Sequence, residues 1–218
     1  MEKESESQAT RDGFGALEIF PEPLVLASRS PRRAEILRAV AWPFEQLAVD
    51  IDETRLPSEG GSAYVERLAR EKAEAAAGMR RGRLVLGADT VVVVDDRIFG
   101  KPVDQEDARR MLRLLSGRWH EVLTGVALVR DAEAQALRRV VAHEMTRVRF
   151  AQMSEAEIDW YVATGEPLDK AGAYAVQGRA ALFIEELVGD CWNVVGLPVQ
   201  LVYKLARAFG QNSRPPSS

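Results

Sequence analysis

A chain of 218 residues with net charge −4, 46% hydrophobic and 28% charged, is composed like an ordinary globular protein and can bury a core without disulfides or structural metal. The negative balance argues against a general nucleic-acid coat protein, and no apolar run is long enough to span a bilayer. The single cysteine, Cys191, excludes an internal disulfide and fits a reducing compartment; the polar start of the chain lacks the apolar core of a signal peptide, so a cytoplasmic location is expected.

One domain is expected over residues 21–210, between tails at 1–20 and 211–218 whose Ser, Glu, Pro and Gly content reads as disorder. It opens on a short buried strand, Leu24 to Leu26, that runs into a helix at Ser30-Pro31 with Ile36, Leu37 and Val40 at helical spacing. Ser30 suits the N-cap and Pro31 the first helical position. Arg32 and Arg33 then sit where the helix dipole disfavours cations by up to about 1 kcal/mol, so they call for an anion. The free N–H groups, the hydroxyls of Ser28 and Ser30 and the guanidinium groups of Arg29, Arg32 and Arg33 form a phosphate cradle on one reading, and a capped helix with solvated arginines on the other.

A strand from Phe44 to Val49 leads into the acidic run Asp50, Asp52 and Glu53, either a solvated loop or a metal or phosphate site at a strand's carboxyl end. Ser62 is expected to cap a helix reaching about Gly78, whose inward stripe Val65, Leu68, Ala69, Ala73 and Ala76 also carries Lys72. Lys72 either snorkels past the core to water or projects into a cleft toward an anion. Residues 84–99 are the most apolar stretch and read as a long strand turning at Asp95-Asp96. Asp89 interrupts that run, and a carboxylate there must be paired, metal-bound or facing a cleft; a general base and a structural hydrogen-bonded Asp are the competing readings. Gly100-Lys101-Pro102 lacks the first glycine and the Ser or Thr of a phosphate loop, which leaves Lys101 as a cleft cation or a surface lysine.

Asp104 is expected to cap a helix with stripe Ala108, Met111, Leu112 and Leu115, ended by Ser116-Gly117. Strands Trp119 to Arg130 and Leu137 to Phe150 follow around a polar DAEAQ turn; His120 and His143 on them lack the clustering of a zinc site and read as structural. Ser154 and Glu157 form a capping box for a helix with Ile158, Tyr161 and Val162, stopped by Gly165. The glycine-punctuated EPLDKAGAYAVQG carries Asp169, Lys170 and Gln177 and reads as a functional loop. A hairpin from Ala181 to Val195, turning at Gly189-Asp190, and a helix from Pro198 to Gly210 complete the chain.

Several cations, one strand carboxylate, an acidic loop and a helix N-terminus suit a polyphosphate with a divalent cation. Mg²⁺ takes one or two carboxylates plus phosphate oxygens, so Asp89 and Glu53 can serve without a dedicated cage. With no suitably placed Cys and no Ser-His-Asp order, attack by water is the expectation.

The motifs LASRSPRRAEIL, AREKA, LGADTVVVV, GKP, LSGRWHEVLTGVAL, GEPLDKAGAYAVQG and NVVGLP, in this order between residues 23 and 209, resemble the Maf family of nucleoside triphosphate pyrophosphatases. The resemblance implies an α/β fold, an elongated mixed β-sheet flanked by helices with a central cleft, akin to inosine-triphosphate pyrophosphatases. It implies hydrolysis of a nucleoside triphosphate between its α and β phosphates with a divalent metal, Mg²⁺ or Mn²⁺. On matching positions it implies that Ser28, Ser30, Arg32 and Arg33 hold phosphate with help from Lys72 and Lys101. Asp89 would accept the proton of the attacking water, and Glu53 would lie with it at the catalytic or metal centre. At Arg32, Thr90 and Gln177 the chain is similar to the branch acting on dTTP and UTP; the branch acting on 7-methyl-GTP has an acidic residue where Gln177 stands. A uracil or thymine edge pairs an N3–H donor with carbonyl acceptors, which one carboxamide can match. The resemblance further implies a homodimer acting on a nucleoside triphosphate; from the charge and the lack of a spanning run, neither nucleic acid nor membrane is expected as partner. The rival readings are a nucleotide-binding regulator of cell division and septum formation, a pyrophosphatase of different base preference such as one acting on 7-methyl-GTP and, much less well matched, an RNA-binding module, which the charge and the lack of an aromatic stacking strip disfavour.

Overall fold

Apolar residues at strand and helix spacing fold as expected over most of the chain. The computed structural model describes residues 20, 22–131 and 137–211; the expected tails, but for Phe20 and Gln211, and the DAEAQ turn, but for Asp131, lie outside them. Leu24–Ala27 (β1) leads to Pro31–Ala39 (α1), with Ser30 as N-cap accepting the Arg33 N–H at 3.4 Å. The next strand, Phe44–Gln46 (β2), stops short of the expected Val49, because its partner β1 departs toward α1 one residue beyond the Leu26↔Gln46 pair. The helix Gly61–Met79 (α2) starts ahead of Ser62: Gly60 is its N-cap and offers no side chain, so the expected Ser62 cap is not formed. A Cβ on Gly61 would stand 2.8 Å from Leu123 Cδ1, so a larger residue at the first helical position requires the Leu123 side chain to shift.

Leu84–Val94 (β3) and Arg97–Phe99 (β4) form the expected hairpin, with Asp95 and Asp96 both at positive φ as a tight primed turn requires. Asp104 caps Gln105–Leu115 (α3), accepting the Asp107 N–H at 2.8 Å. Trp119–Arg130 (β5) and Arg138–Phe150 (β6) pair along their whole length, and Ser154 and Glu157 close a reciprocal capping box on Glu155–Ala163 (α4). Short 3₁₀ turns then lead to Ile184–Val188 (β7).

The expected second strand of a 181–195 hairpin is instead a helix, Cys191–Val195 (α5), and Val199–Gln211 (α6) ends the described chain. Two local reasons favour the helix. The Asp190 carboxylate accepts the Trp192 N–H at 2.8 Å as an N-cap, and Gly196 takes the positive φ that ends a helix. The β7 strand pairs with β6.

The seven-stranded sheet has the order β2-β1-β3-β5-β6-β7 with β4 paired to β3; β1 runs parallel to β2 and β3, and the other pairings are antiparallel. Side chains alternate across it. Leu24, Leu26, Leu84, Leu86, Ala88, Val126 and Leu128 pack under α1 and α6, while Val25, Ala27, Val85, Ala127 and Val129 pack under the alanines of α2. A third core joins Val92, Val94, Phe99, Val122 and Phe150 to α3 and α4.

The α2 helix lies unusually close to the sheet. A Cβ on Gly87 or on Gly125 would stand 2.1 Å from the α2 carbonyls of Ala69 and Val65 respectively. Only glycine at these facing positions lets the helix backbone come so near. No helix among the described residues is long and apolar enough to cross a membrane.

Candidate active site

A gap in the sheet creates the site. On one side β3 pairs with β1 up to Gly87 and with β4 from Val92, so the strand between them has a neighbour only on its β5 side. Asp89 and Thr90 lie in that gap, and a cleft of about 980 Å³ opens there, lined by the β1–α1 turn, the acidic loop, Lys101 and the segment from Glu166 to Gly178. Strand alternation sends Asp89 toward α2 and Thr90 toward α1. Each meets a cation there.

Lys72, carried on the buried face of α2, places its Nζ 2.7 Å from Asp89 Oδ1 and 2.7 Å from Glu53 Oε1. The Lys72 and Asp89 side chains are each 12% exposed, so water screens their attraction little, whereas Glu53 is 58% exposed and its pairing with Lys72 is more screened. Burial pushes the Asp89 carboxyl above its ordinary range, against the opposing pull of Lys72 and Arg33. A carboxylate with raised basicity at the edge of a cleft has the character of a general base.

On the other face, Arg33 is half-buried, and its withdrawal from water pulls its guanidinium below its ordinary range although it stays charged. Its Nε donates to the Gly196 carbonyl at 2.8 Å, Nη1 to Ser28 Oγ at 3.2 Å and Nη2 to Thr90 Oγ1 at 3.0 Å. Two N–H groups of the five remain for a ligand. Thr124 donates to the Asn193 carbonyl at 3.1 Å and shares a 3.0 Å hydroxyl contact with Thr90, whose own hydrogen also has the Gly196 carbonyl within 3.5 Å. The resulting relay fixes Arg33 through Thr90, Thr124 and Asn193. Asn193, wholly buried, in turn donates to Val122 O and to Thr146 Oγ1, which holds α5 and thus the Gly196 carbonyl on the sheet.

Ser28 and Ser30 both accept within the turn, from Ser30 N at 3.1 Å and Arg33 N at 3.4 Å, which leaves each hydroxyl hydrogen to donate to an anion. The other arginines of the turn behave differently. Arg32 pairs with Asp169 at 3.0 Å across the mouth of the cleft, and Arg29 pairs with Asp50 at 2.7 Å on the exposed rim. The acidic run is sorted likewise: Asp52 accepts the Thr54 N–H at 2.8 Å in its own turn, and of the three acids Glu53 is the one joined to Lys72. Lys101 lines the cleft from an exposed position. Gln177 also lines it, on the turn between Ala175 and Arg179. The histidines stand outside this constellation. His120 shares a 2.8 Å hydrogen bond with Tyr174 and is pushed down to about 4 by burial, and His143 pairs with Glu66.

Several functional supports have no local signature in the sequence. Arg67 binds the Glu59 carboxylate at 2.8 and 2.9 Å and the Thr54 carbonyl at 3.0 Å, and Tyr64 donates to the Glu53 carbonyl at 2.8 Å; together they brace the loop that presents Glu53. Asn193 is a polar residue in an apolar run, the same signal that singled out Asp89. Among the described residues no group of three or more His, Cys, Asp or Glu side chains is placed to hold a metal by itself. The two carboxylates joined through Lys72, Asp89 and Glu53, offer oxygen donors only, which fits a hard cation that completes its shell with phosphate oxygens.

Known proteins are similar to the chain over most of its length. The chain is 51% identical over 189 residues to the dTTP/UTP pyrophosphatase of Symbiobacterium thermophilum, which spans 87% of this chain and 95% of that protein. It is 53% identical over 189 residues to the dTTP/UTP pyrophosphatase of Anaeromyxobacter dehalogenans, spanning 86% and 94%. Among solved structures, the Staphylococcus aureus Ham1 protein aligns over 86% of this chain and 100% of its own, at 14% identity and a TM-score of 0.49. The model of the family described as Maf-like protein matches residues 23–209, nearly the whole of the described fold, and the chain therefore belongs to the Maf family.

Proposed function

We propose that this protein is a nucleoside triphosphate pyrophosphatase that converts dTTP and UTP to the monophosphate and pyrophosphate with Mg²⁺ or Mn²⁺. The observation that carries this reading is the buried Asp89 carboxylate, facing a cleft whose walls bring Lys72, Arg33 and the open N-terminus of α1 to one place. The activity named for relatives at about half identity agrees with it.

The triphosphate lies against the β1–α1 turn, where the Ser28 and Ser30 hydroxyls, the free N–H groups of Arg33 and the backbone of α1 donate to phosphate oxygens. Arg32 exchanges Asp169 for phosphate, and Lys101 approaches from the opposite lip. Asp89 takes a proton from a water that adds at the α-phosphorus; the α–β anhydride bond breaks and pyrophosphate carries away the electron pair. Lys72 holds Asp89 ionised against burial and faces the charge that develops on phosphate. Asp89 and Glu53 are the residues that would hold the divalent cation, which supplies charge neutralisation on the phosphate oxygens. Gln177 reads the base edge, its carbonyl accepting from N3–H and its amide donating to a ring carbonyl.

The test is pyrophosphate release from a panel of UTP, dTTP, CTP, ATP, GTP and 7-methyl-GTP, with Mg²⁺, with Mn²⁺ and with a chelator. The expected result is release from UTP and dTTP that the chelator abolishes. Nucleotide binding without pyrophosphate under every condition overturns the enzymatic reading in favour of a nucleotide-binding regulator.

A further inference from the structure

The turn that carries Gln177 belongs to no sheet or long helix. Its own hydrogen bond, Gly178 N to Ala175 O at 3.0 Å, closes it, but the chain on both sides consists of 3₁₀ turns. Two side chains from beneath tie down its ends. The Tyr161 hydroxyl accepts the Ala175 N–H at 3.2 Å and donates to Glu166 Oε1 at 2.8 Å; the Glu166 carboxylate accepts the Arg179 N–H through both oxygens, at 2.9 and 3.2 Å. Tyr161 is fully buried and Glu166 is 16% exposed, so the two bonds of the Tyr161 hydroxyl are partly sheltered from water, while the Arg179 end of the turn is exposed. Burial raises the Tyr161 phenol far above its ordinary range, which keeps it a donor throughout the physiological range. The seat is shaped for a residue without a side chain: a Cβ on Gly178 would stand 2.3 Å from Glu166 Oε1.

We infer that Glu166, seated by Tyr161, is a positioning residue for base selection: by fixing both ends of the Ala175–Arg179 turn it sets how far Gln177 stands into the cleft. The inference rests on the proposed contact between Gln177 and the base. Purine and pyrimidine bases differ in width, and a turn tied at both ends cannot retreat to admit the wider one. A carboxylate that accepts backbone N–H groups makes the stronger, charge-assisted class of hydrogen bond; an amide in its place keeps one acceptor oxygen for Arg179 N and Tyr161 OH but loses the charge and the second oxygen. Selectivity of this kind depends on the support behind the contact as much as on the contact itself.

The experiment compares kcat/KM for UTP and for GTP in the wild type and in Glu166→Gln, Tyr161→Phe and Gln177→Ala, with Tm measured for each. Where GTP turnover is too slow to follow, its inhibition constant against UTP takes the place of kcat/KM. Loss of the carboxylate charge is expected to lower the UTP-to-GTP preference about tenfold, mostly through KM. A purely structural role lowers Tm and scales both substrates alike, and an unmoved preference in Glu166→Gln overturns the inference. If that variant does not fold, Tyr161→Phe, which keeps the ring and loses the hydroxyl, gives the same reading. Should Gln177→Ala leave the preference unmoved, the base contact is wrong; should Gln177→Ala alone move it, the positioning role is wrong while the base contact stands.

Discussion

Replacing Lys72 by methionine removes one charge while keeping the length of the side chain, and it tests whether this lysine governs the basicity of Asp89. The ammonium stands 2.7 Å from Asp89 Oδ1, and both side chains are 12% exposed. An opposite charge this close lowers a carboxyl pKa by about 1–3, each step of one being worth about 1.4 kcal/mol. With Lys72 gone, burial is less opposed, and Glu53, whose charge also disfavours ionisation of Asp89, pushes the same way. The acid limb of the pH profile of kcat/KM is therefore expected to move upward by about one to three pH units, so that activity lost at neutral pH is partly recovered in alkali. Initial rates of pyrophosphate release across the pH range measure this directly. The sign in stability is the same: the folded variant binds a proton that the unfolded chain releases, so its deficit in Tm is present above the Asp89 pKa and shrinks as pH falls through it. A uniform drop in kcat/KM with the acid limb in its original place refutes the reasoning and leaves Lys72 as a phosphate contact only.

Three further outcomes are expected. Asp89→Asn keeps the shape and removes the base, so kcat falls by about 10²–10⁴ while the nucleotide Kd from calorimetry changes little; retained turnover ends the assignment. Gln177→Glu turns a carboxylate toward a ring carbonyl and is expected to cut kcat/KM for UTP at least about tenfold, with equal rates counting against the base contact. Gly87→Ala forces a methyl toward the Ala69 carbonyl at 2.1 Å, and urea unfolding is expected to show a loss of about 1–3 kcal/mol; an unchanged midpoint contradicts the close approach of α2.

Features that act over a few residues were legible in the chain itself. Ser30, Asp104 and the Ser154 with Glu157 box cap the helices they were expected to cap. The Asp95-Asp96 turn and the apolar stripe of α2 with Lys72 upon it also follow from spacing alone. The exceptions have short-range causes that act against the pattern: Gly60 precedes Ser62 at the start of α2, and the Asp190 cap draws Cys191–Val195 into a helix where the apolar run suggested a strand.

At the site, residue types were readable and partners were not. An acid among valines and a lysine on an apolar face each announced a constraint, yet nothing local says that they satisfy one another. Their pairing depends on α2 lying against β3 and β5, which glycines at 87 and 125 permit and side chains there would prevent. The three arginines of the first turn looked alike in the sequence, but folding turns Arg33 inward onto Ser28, Thr90 and Gly196, ties Arg32 to Asp169 and leaves Arg29 on the rim. The chain alone thus determined its helices, its turns and the kind of chemistry it can hold, because those follow from neighbours a few bonds apart. The tertiary structure alone decided which charges meet and which face water, because burial and distance are set by segments more than a hundred residues away, as with Arg33 and Gly196.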